Sequence, residues 1–254
     1  MNPELSKFVY GAVGGGAVTA VWKMLDTYVV QPRFTSSSEA KKKVILYGRP
    51  LYLNCYQLEY RLSHILKKLE AKKYDEVLPL KRSPSEATSL DWFTKDGYYA
   101  TSSAYVIACL ASWITLFQAD VVFLPFRKKS IAAQFFNLIE RFKISLSTDT
   151  ILWYHYLDGV GEMLVDEEHD RPMAFSAFSR RLFNDRSFRD YYDQLFQFLQ
   201  KIASDSSSDQ IRKTISALRD IKGFLAEHDV VPGIEAYERA PDDREHALTA
   251  GRAA

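Results

Sequence analysis

Apolar positions recur along this chain with the spacing of an α-helix, and no series of strict two-residue alternation interrupts them. From Leu51 the apolar residues are Leu51, Cys55, Leu58, Leu62, Ile65 and Leu69, separated by four, three, four, three and four positions. That spacing draws one stripe down a helix packed in a bundle, with Lys67, Lys68, Lys72 and Lys73 at its wet end. Two further stripes follow, Phe188–Tyr192–Leu195–Leu199–Ile202 and Ile211–Ile215–Leu218–Ile221–Leu225. The Ser-rich link Ser204–Asp209 between them is short, which predicts antiparallel neighbours. Ile131 to Ile144 predicts another helix. The stretch Tyr105 to Phe126 is the most apolar in the chain and long enough to cross a bilayer. Gln118, Asp120 and Pro125 count against a span, so it reads as a central bundle helix surrounded by neighbours. The predicted fold class is all-α, a helical bundle.

Punctuation divides these elements. Ser36–Ser38 followed by Glu39 predicts a helix start, and Gly48 with Pro50 predicts its end. Pro79 to Asp91 holds two prolines and four Ser/Thr residues and reads as a loop. After Pro232 the periodicity disappears, which predicts a frayed acidic tail over residues 231–254.

The N-terminal end has a different character. Phe8 to Trp22 is fifteen residues without a charge, and the apolar character continues past Lys23 and Asp26 to Val30. A membrane span needs about 20 predominantly apolar residues. Phe8, Val9, Val18, Val21 and Trp22 would face lipid, and Gly11 and Gly15 supply a small-xxx-small spacing that lets helices approach closely. Pro32 closes the segment. A soluble, packed helix and a cleaved signal peptide are the alternatives, but MNPELSK lacks the strongly basic start of a signal peptide. The expected organisation is an anchor over 1–34, a helical body over 35–230 and the tail.

Charge sharpens this picture. The chain of 254 residues carries 33 Lys+Arg and 32 Asp+Glu, a net charge of +1. Residues 31–82 nevertheless hold twelve basic and five acidic residues, net +7, directly behind the apolar segment. Arg33, Lys41, Lys42 and Lys43 are placed to meet anionic headgroups, an attraction worth about 1 kcal/mol per basic residue. By the positive-inside rule the body would lie in the cytoplasm, below an inner membrane crossed once. A hydrophobic content of 47% excludes a largely disordered chain, and near-neutral charge argues against a nucleic-acid partner. Membrane lipid is the expected partner, with a protein partner or a second copy beside it. The 31 Tyr and Phe residues, including Tyr52, Tyr56 and Tyr60, read as core and rim of the bundle.

Candidate chemistry is sparse. Cys55 and Cys109 fall on apolar helix faces without a CxxC motif, which predicts buried free thiols. The five histidines form no HExxH or HxxxH pair. Glu162 and Asp166 are four apart and could share a helix face, an arrangement two-metal carboxylate sites use, and with His155 and His169 they are the weak catalytic candidates. A true site of that class needs ExxH pairs from several helices, so a solvated acidic loop before Arg171-Pro172 is the favoured reading. No catalytic residue, metal ligand or cofactor is assigned. Gly11, Gly14, Gly15 and Gly16 follow no strand and lack the Lys-Ser/Thr of a phosphate loop.

Three stretches resemble a broad set of bacterial proteins with an N-terminal membrane segment and a helical cytoplasmic body. They are Tyr47 to Leu66, Ser147 to Leu164 and Phe175 to Leu195. In those proteins the second stretch carries a Glu-Gln pair before a Gly-Glu. Here Tyr156 and Leu157 occupy the pair's positions while Gly161 and Glu162 are retained, so no role resting on the pair carries over. The resemblance implies anchoring and a helical fold, and it implies no activity. Three functions are therefore open: a membrane-tethered module that binds, an enzyme with a carboxylate/His site in the bundle, or an oligomeric pore built from residues 8–30 and 105–126.

Overall fold

The computed structural model describes residues 31–81, 83–87, 89–121, 129–147, 152–166, 168–204, 208–228 and 230. The anchor residues Phe8, Val9, Gly11, Gly15, Val18, Val21 and Trp22 and the tail 231–254 lie outside the described residues. The chain divides into two units, Met1–Lys43 and Val44–Ala254. Of the first, residues 31–43 are helical, so Arg33, Lys41, Lys42 and Lys43 stand on helical backbone.

Among the described residues the fold is all-α apart from one minimal hairpin. The elements are α1 (Gln31–Glu70), 3-10 turns at Tyr74–Lys81 and Pro84–Glu86, α2 (Leu90–Thr94), α3 (Tyr98–Val121) and α4 (Lys129–Leu146). There follow α5 (Tyr156–Leu164), β1 (Val165–Asp166), β2 (Arg171–Pro172), α6 (Phe175–Asn184), α7 (Arg186–Ser204) and α8 (Ser208–Glu227). The strands are antiparallel, with Val165 opposite Pro172 and Asp166 opposite Arg171.

The helix start at Ser36–Ser38 and the break at Gly48–Pro50 are not found: α1 runs through both. Pro32 falls in its first turn, where the missing N–H costs nothing. Pro50 withholds one intrahelical hydrogen bond, but both of its flanks are held by the core. Tyr47 is buried, as are Leu51, Cys55, Leu58, Leu62, Ile65 and Leu69. Burying one such side chain contributes about 1.5–3 kcal/mol, so the stripe outweighs a proline penalty of about 3 kcal/mol. Gly48 is a point of close approach rather than a breaker, because a Cβ there would collide with Val230 Cγ1. The tract 79–91 is likewise more ordered than a loop, with 3-10 turns where Ser and Pro prevent a full α-turn.

The apolar helix α3 forms the centre of the body. Ala100, Ala104, Ile107, Ala108, Leu110, Ile114 and Phe117 are all buried. Its segment Tyr98–Ala119 has a mean hydropathy of 1.5, long and apolar enough to cross a bilayer, yet 72% of that window is buried in the body. Among the described residues α3 packs most extensively against α5. A Cβ on Gly161 would meet the Ala111 carbonyl carbon and oxygen at 2.7 Å, and Ser112 Oγ donates across to the Gly161 carbonyl at 2.9 Å. Cys55 and Cys109 are free, buried thiols as the periodicity predicts.

Tyrosine hydroxyls fasten α7 to α5, and α3 to the segment that leads into α6. Tyr192 donates to the Val160 carbonyl, Tyr156 to the Tyr191 carbonyl and Tyr105 to the Met173 carbonyl. The stripes of α7 and α8 are buried as expected, but the two helices find their main backbone partners elsewhere. Helix α8 lies along α4, where Thr214 Oγ1 and Gln210 Nε2 both donate to the Ser145 carbonyl in the last turn of α4, at 3.2 and 3.4 Å. Helix α7 instead packs on the 3-10 turn Tyr74–Lys81.

Candidate functional site

The four candidates read from the sequence do not form one site. Asp166 and His169 come together because β1 and β2 close a tight reversal, in which Asp170 takes a left-handed φ of 46°. His169 Nδ1 lies 2.9 Å from Asp166 Oδ2, and Asp166 Oδ1 accepts from the Glu168 backbone N–H at 3.2 Å. One ligand atom each from Asp166, Glu168 and His169 fall within 4.8 Å of one another, close enough for a shared cation. Glu168 and His169 are exposed, and the arrangement is one that a solvated acidic turn also adopts. Glu162 is exposed on α5, where its carboxylate is close enough to Tyr191 to reinforce the rise that burial imposes on that phenol. His155 is 91% exposed at the other end of α5, with Nδ1 3.8 Å from Asp158 Oδ2.

His155 belongs instead to a polar centre that the sequence pattern does not reveal. Lys143, in the last turn of α4, keeps only 8% of its side chain exposed. Its Nζ lies 2.5 Å from Asp158 Oδ1 in the first turn of α5 and 4.0 Å from Glu140 Oε1. The ammonium also sits 5.5 Å from the centre of the Tyr154 ring, which His155 meets edge-on at 5.0 Å. The two ends suit each other, since a cation is favoured at a helix C-terminus and an anion at an N-terminus. Ile144 and Trp153 flank this centre and are 62% and 65% exposed.

Chemically the centre is a clamp. The ammonium of Lys143 is held by Asp158 and, at longer range, by the Glu140 carboxylate of its own helix, which ties the end of α4 to the start of α5. The clue in the sequence is thin: a lysine inside the apolar period of α4 and an aspartate four residues before Glu162 look like ordinary surface charges.

The thiols add no reactivity. Burial pushes the Cys109 thiol up to about 12, against a smaller lowering by its hydrogen bond with Tyr105. Cys55 is raised further by complete burial, partly countered by Lys222. At neutral pH both are thiols, whereas the thiolate is the nucleophile and the metal ligand. Burial likewise raises Tyr156 and Tyr192, which serve as hydrogen-bond donors.

Comparison with known proteins finds no matching family model, no matching curated protein and no matching solved structure.

Proposed function

We propose that this chain works by binding, as a membrane-tethered helical module of the scaffold, sensor or accessory-subunit kind. The observation that carries this reading is the order of segments along the chain. An apolar stretch over 8–30 is followed at once by the basic block 31–82, and then by the packed body. The anchor would cross an inner membrane once, with the body on the cytoplasmic side. Lipid is the first partner, and a protein partner or a second copy the next.

The distribution of chemical groups favours this reading over an enzyme. His155 pairs towards Asp158 and His169 pairs with Asp166, at opposite ends of α5, and both imidazoles face water. An enzyme site would bring such groups to one pocket with a nucleophile or base in reach. A pore built from two segments has less support still, because the apolar window within Tyr98–Ala119, which overlaps the second segment, is 72% buried in the body.

Alkaline carbonate extraction of membranes from cells making the full chain tests the reading. The chain should remain in the membrane pellet after carbonate and after high salt. Release by either treatment would overturn tethering.

A further inference from the structure

Arg61 is half-buried on α1, yet it makes no ion pair with a carboxylate among the described residues. Its side chain reaches across to the opening turns of α3. There Nη1 donates to Ser103 Oγ at 3.2 Å, to Ser102 Oγ at 3.3 Å and to the Tyr99 carbonyl at 3.5 Å. The guanidinium carbon sits 4.4 Å from the centre of the Tyr99 ring. One nitrogen and one flat face are thus fixed. Nε and Nη2 have no hydrogen-bond partner among the described residues, and neither atom is buried.

The acids nearest in the chain are held elsewhere. On α1 the positions three and four away are Gln57, Leu58, His64 and Ile65, none of them acidic. Glu59 meets Arg219 and Lys222 of α8, and Glu70 meets Arg212. Ahead of α3, Asp91 pairs with Lys95, and Asp96 supports the charge of the same lysine. A guanidinium drawn partly out of water without a counter-ion is costly. The start of α3 adds to that cost, because a helix N-terminus carries partial positive charge. Tying α1 to α3 needs only a neutral donor, so that role leaves the charge unexplained. Two phenols border the guanidinium. Burial raises the Tyr99 phenol, Arg61 partly offsets the rise, and Tyr60 is close enough to add to it. The Tyr60 side chain is 58% exposed.

We propose that Arg61, bordered by Tyr60 and Tyr99, binds an oxyanion, the carboxylate or phosphate of a small-molecule ligand. The anion takes Nε and Nη2 side by side, the bidentate geometry that a planar guanidinium fork suits. Stacking on Tyr99 and the bonds made by Nη1 hold the fork in place before the ligand arrives, so little side-chain freedom is lost on binding. The Tyr60 hydroxyl donates to the same anion, and its exposed ring offers an apolar edge to the group that carries the charge. With an anion bound, the positive end of α3 turns from a cost into a gain. The site needs no bilayer and is independent of tethering.

The test uses the full chain in mild detergent at constant ionic strength. Inorganic phosphate, phenyl phosphate and benzoate are titrated separately and followed by calorimetry. At least one should saturate a single site with a Kd of about 1 mM or below. Arg61→Lys keeps the charge but loses the fork and should weaken binding about ten-fold, and Arg61→Gln should abolish it. Lys67→Gln removes an exposed cation further along α1 and should bind as the unaltered chain does. A second readout needs no variant. Phenylglyoxal, which modifies accessible arginines, should label Arg61, and the bound probe should protect Arg61 but not Arg186, whose side chain is 85% exposed.

Tighter binding of the phosphates than of benzoate assigns a phosphoryl ligand, and the reverse order assigns a carboxylate. Absence of saturation by all three probes up to about 10 mM overturns the site, as does binding that survives Arg61→Gln. An Arg61 that resists phenylglyoxal without probe, or that labels equally with and without saturating probe, overturns it too. Detergent is present throughout, so none of these results bears on tethering.

Discussion

Gly161 and Gly223 allow one substitution to be tried in two environments with opposite expected signs. Both are helical glycines, on α5 and α8. Alanine is intrinsically better than glycine in a helix interior by about 1 kcal/mol. At Gly223 an added Cβ meets nothing within 4 Å, so Gly223→Ala should gain about 0.5–1 kcal/mol. At Gly161 the same Cβ would lie 2.7 Å from the Ala111 carbonyl carbon and oxygen and 2.8 Å from Thr115 Oγ1. Two of those three atoms are backbone of α3 and cannot rotate away, so α5 must move. Overpacking of this kind costs about 1–3 kcal/mol. Displacing α5 also lengthens the buried Ser112 Oγ to Gly161 carbonyl hydrogen bond, worth about 1 kcal/mol. After the propensity gain, Gly161→Ala should lose about 2 kcal/mol, or about 4–8 °C in Tm for a body of this size. Thermal unfolding of the full chain in mild detergent, followed by circular dichroism at 222 nm, measures both variants. Equal Tm values for the two variants would refute the close α3–α5 crossing.

The polar centre and the thiols give further predictions. Asp158→Ala strands the Lys143 ammonium, which is 8% exposed, and should destabilise by about 1–3 kcal/mol because Asp158 itself is partly solvated. Lys143→Met removes charge and burial cost together and should be close to neutral when both variants are unfolded in urea; equal losses would contradict the clamp. Native protein at pH 8 should leave Cys55 and Cys109 unlabelled by a water-soluble disulfide reagent, with both reacting once urea unfolds the body. Stability should also decline in alkali. A thiol raised by folding contributes fully below its unfolded value near 8.5 and loses that contribution as pH climbs towards the folded value, about 12 for Cys109. A Tm that stays level from pH 8.5 to 11 would contradict this.

The reading of helices succeeded where the pattern is local. The six-residue stripe of α1 and the stripes of α7 and α8 were legible because a 3.6-residue period places their apolar residues on one face, whatever that face meets. The boundaries at Gly48 and Pro50 were not legible. Local propensity there is worth a few kcal/mol at most, and the buried side chains on either side together exceed it. The β1–β2 pair is two residues per strand, too short to show any alternation. The tyrosines of α1 were in plain view as Tyr52, Tyr56 and Tyr60, yet only the packing of the folded body separates the exposed Tyr56 and Tyr60 from the buried Tyr52.

By itself, then, the sequence determined the helical class, the inward face of each main helix, the buried state of both cysteines and the basic block behind an apolar segment. All of these follow from neighbours within two turns of the same helix, or from composition. Only the tertiary structure decided that α8 lies along α4, that Gly161 touches the α3 backbone, that Lys143 meets Asp158, and that Asp166 pairs with His169 while His155 turns to Asp158. The first three pairings join residues far apart in the chain. Their energies depend on which faces meet, a choice that periodicity along one helix does not contain.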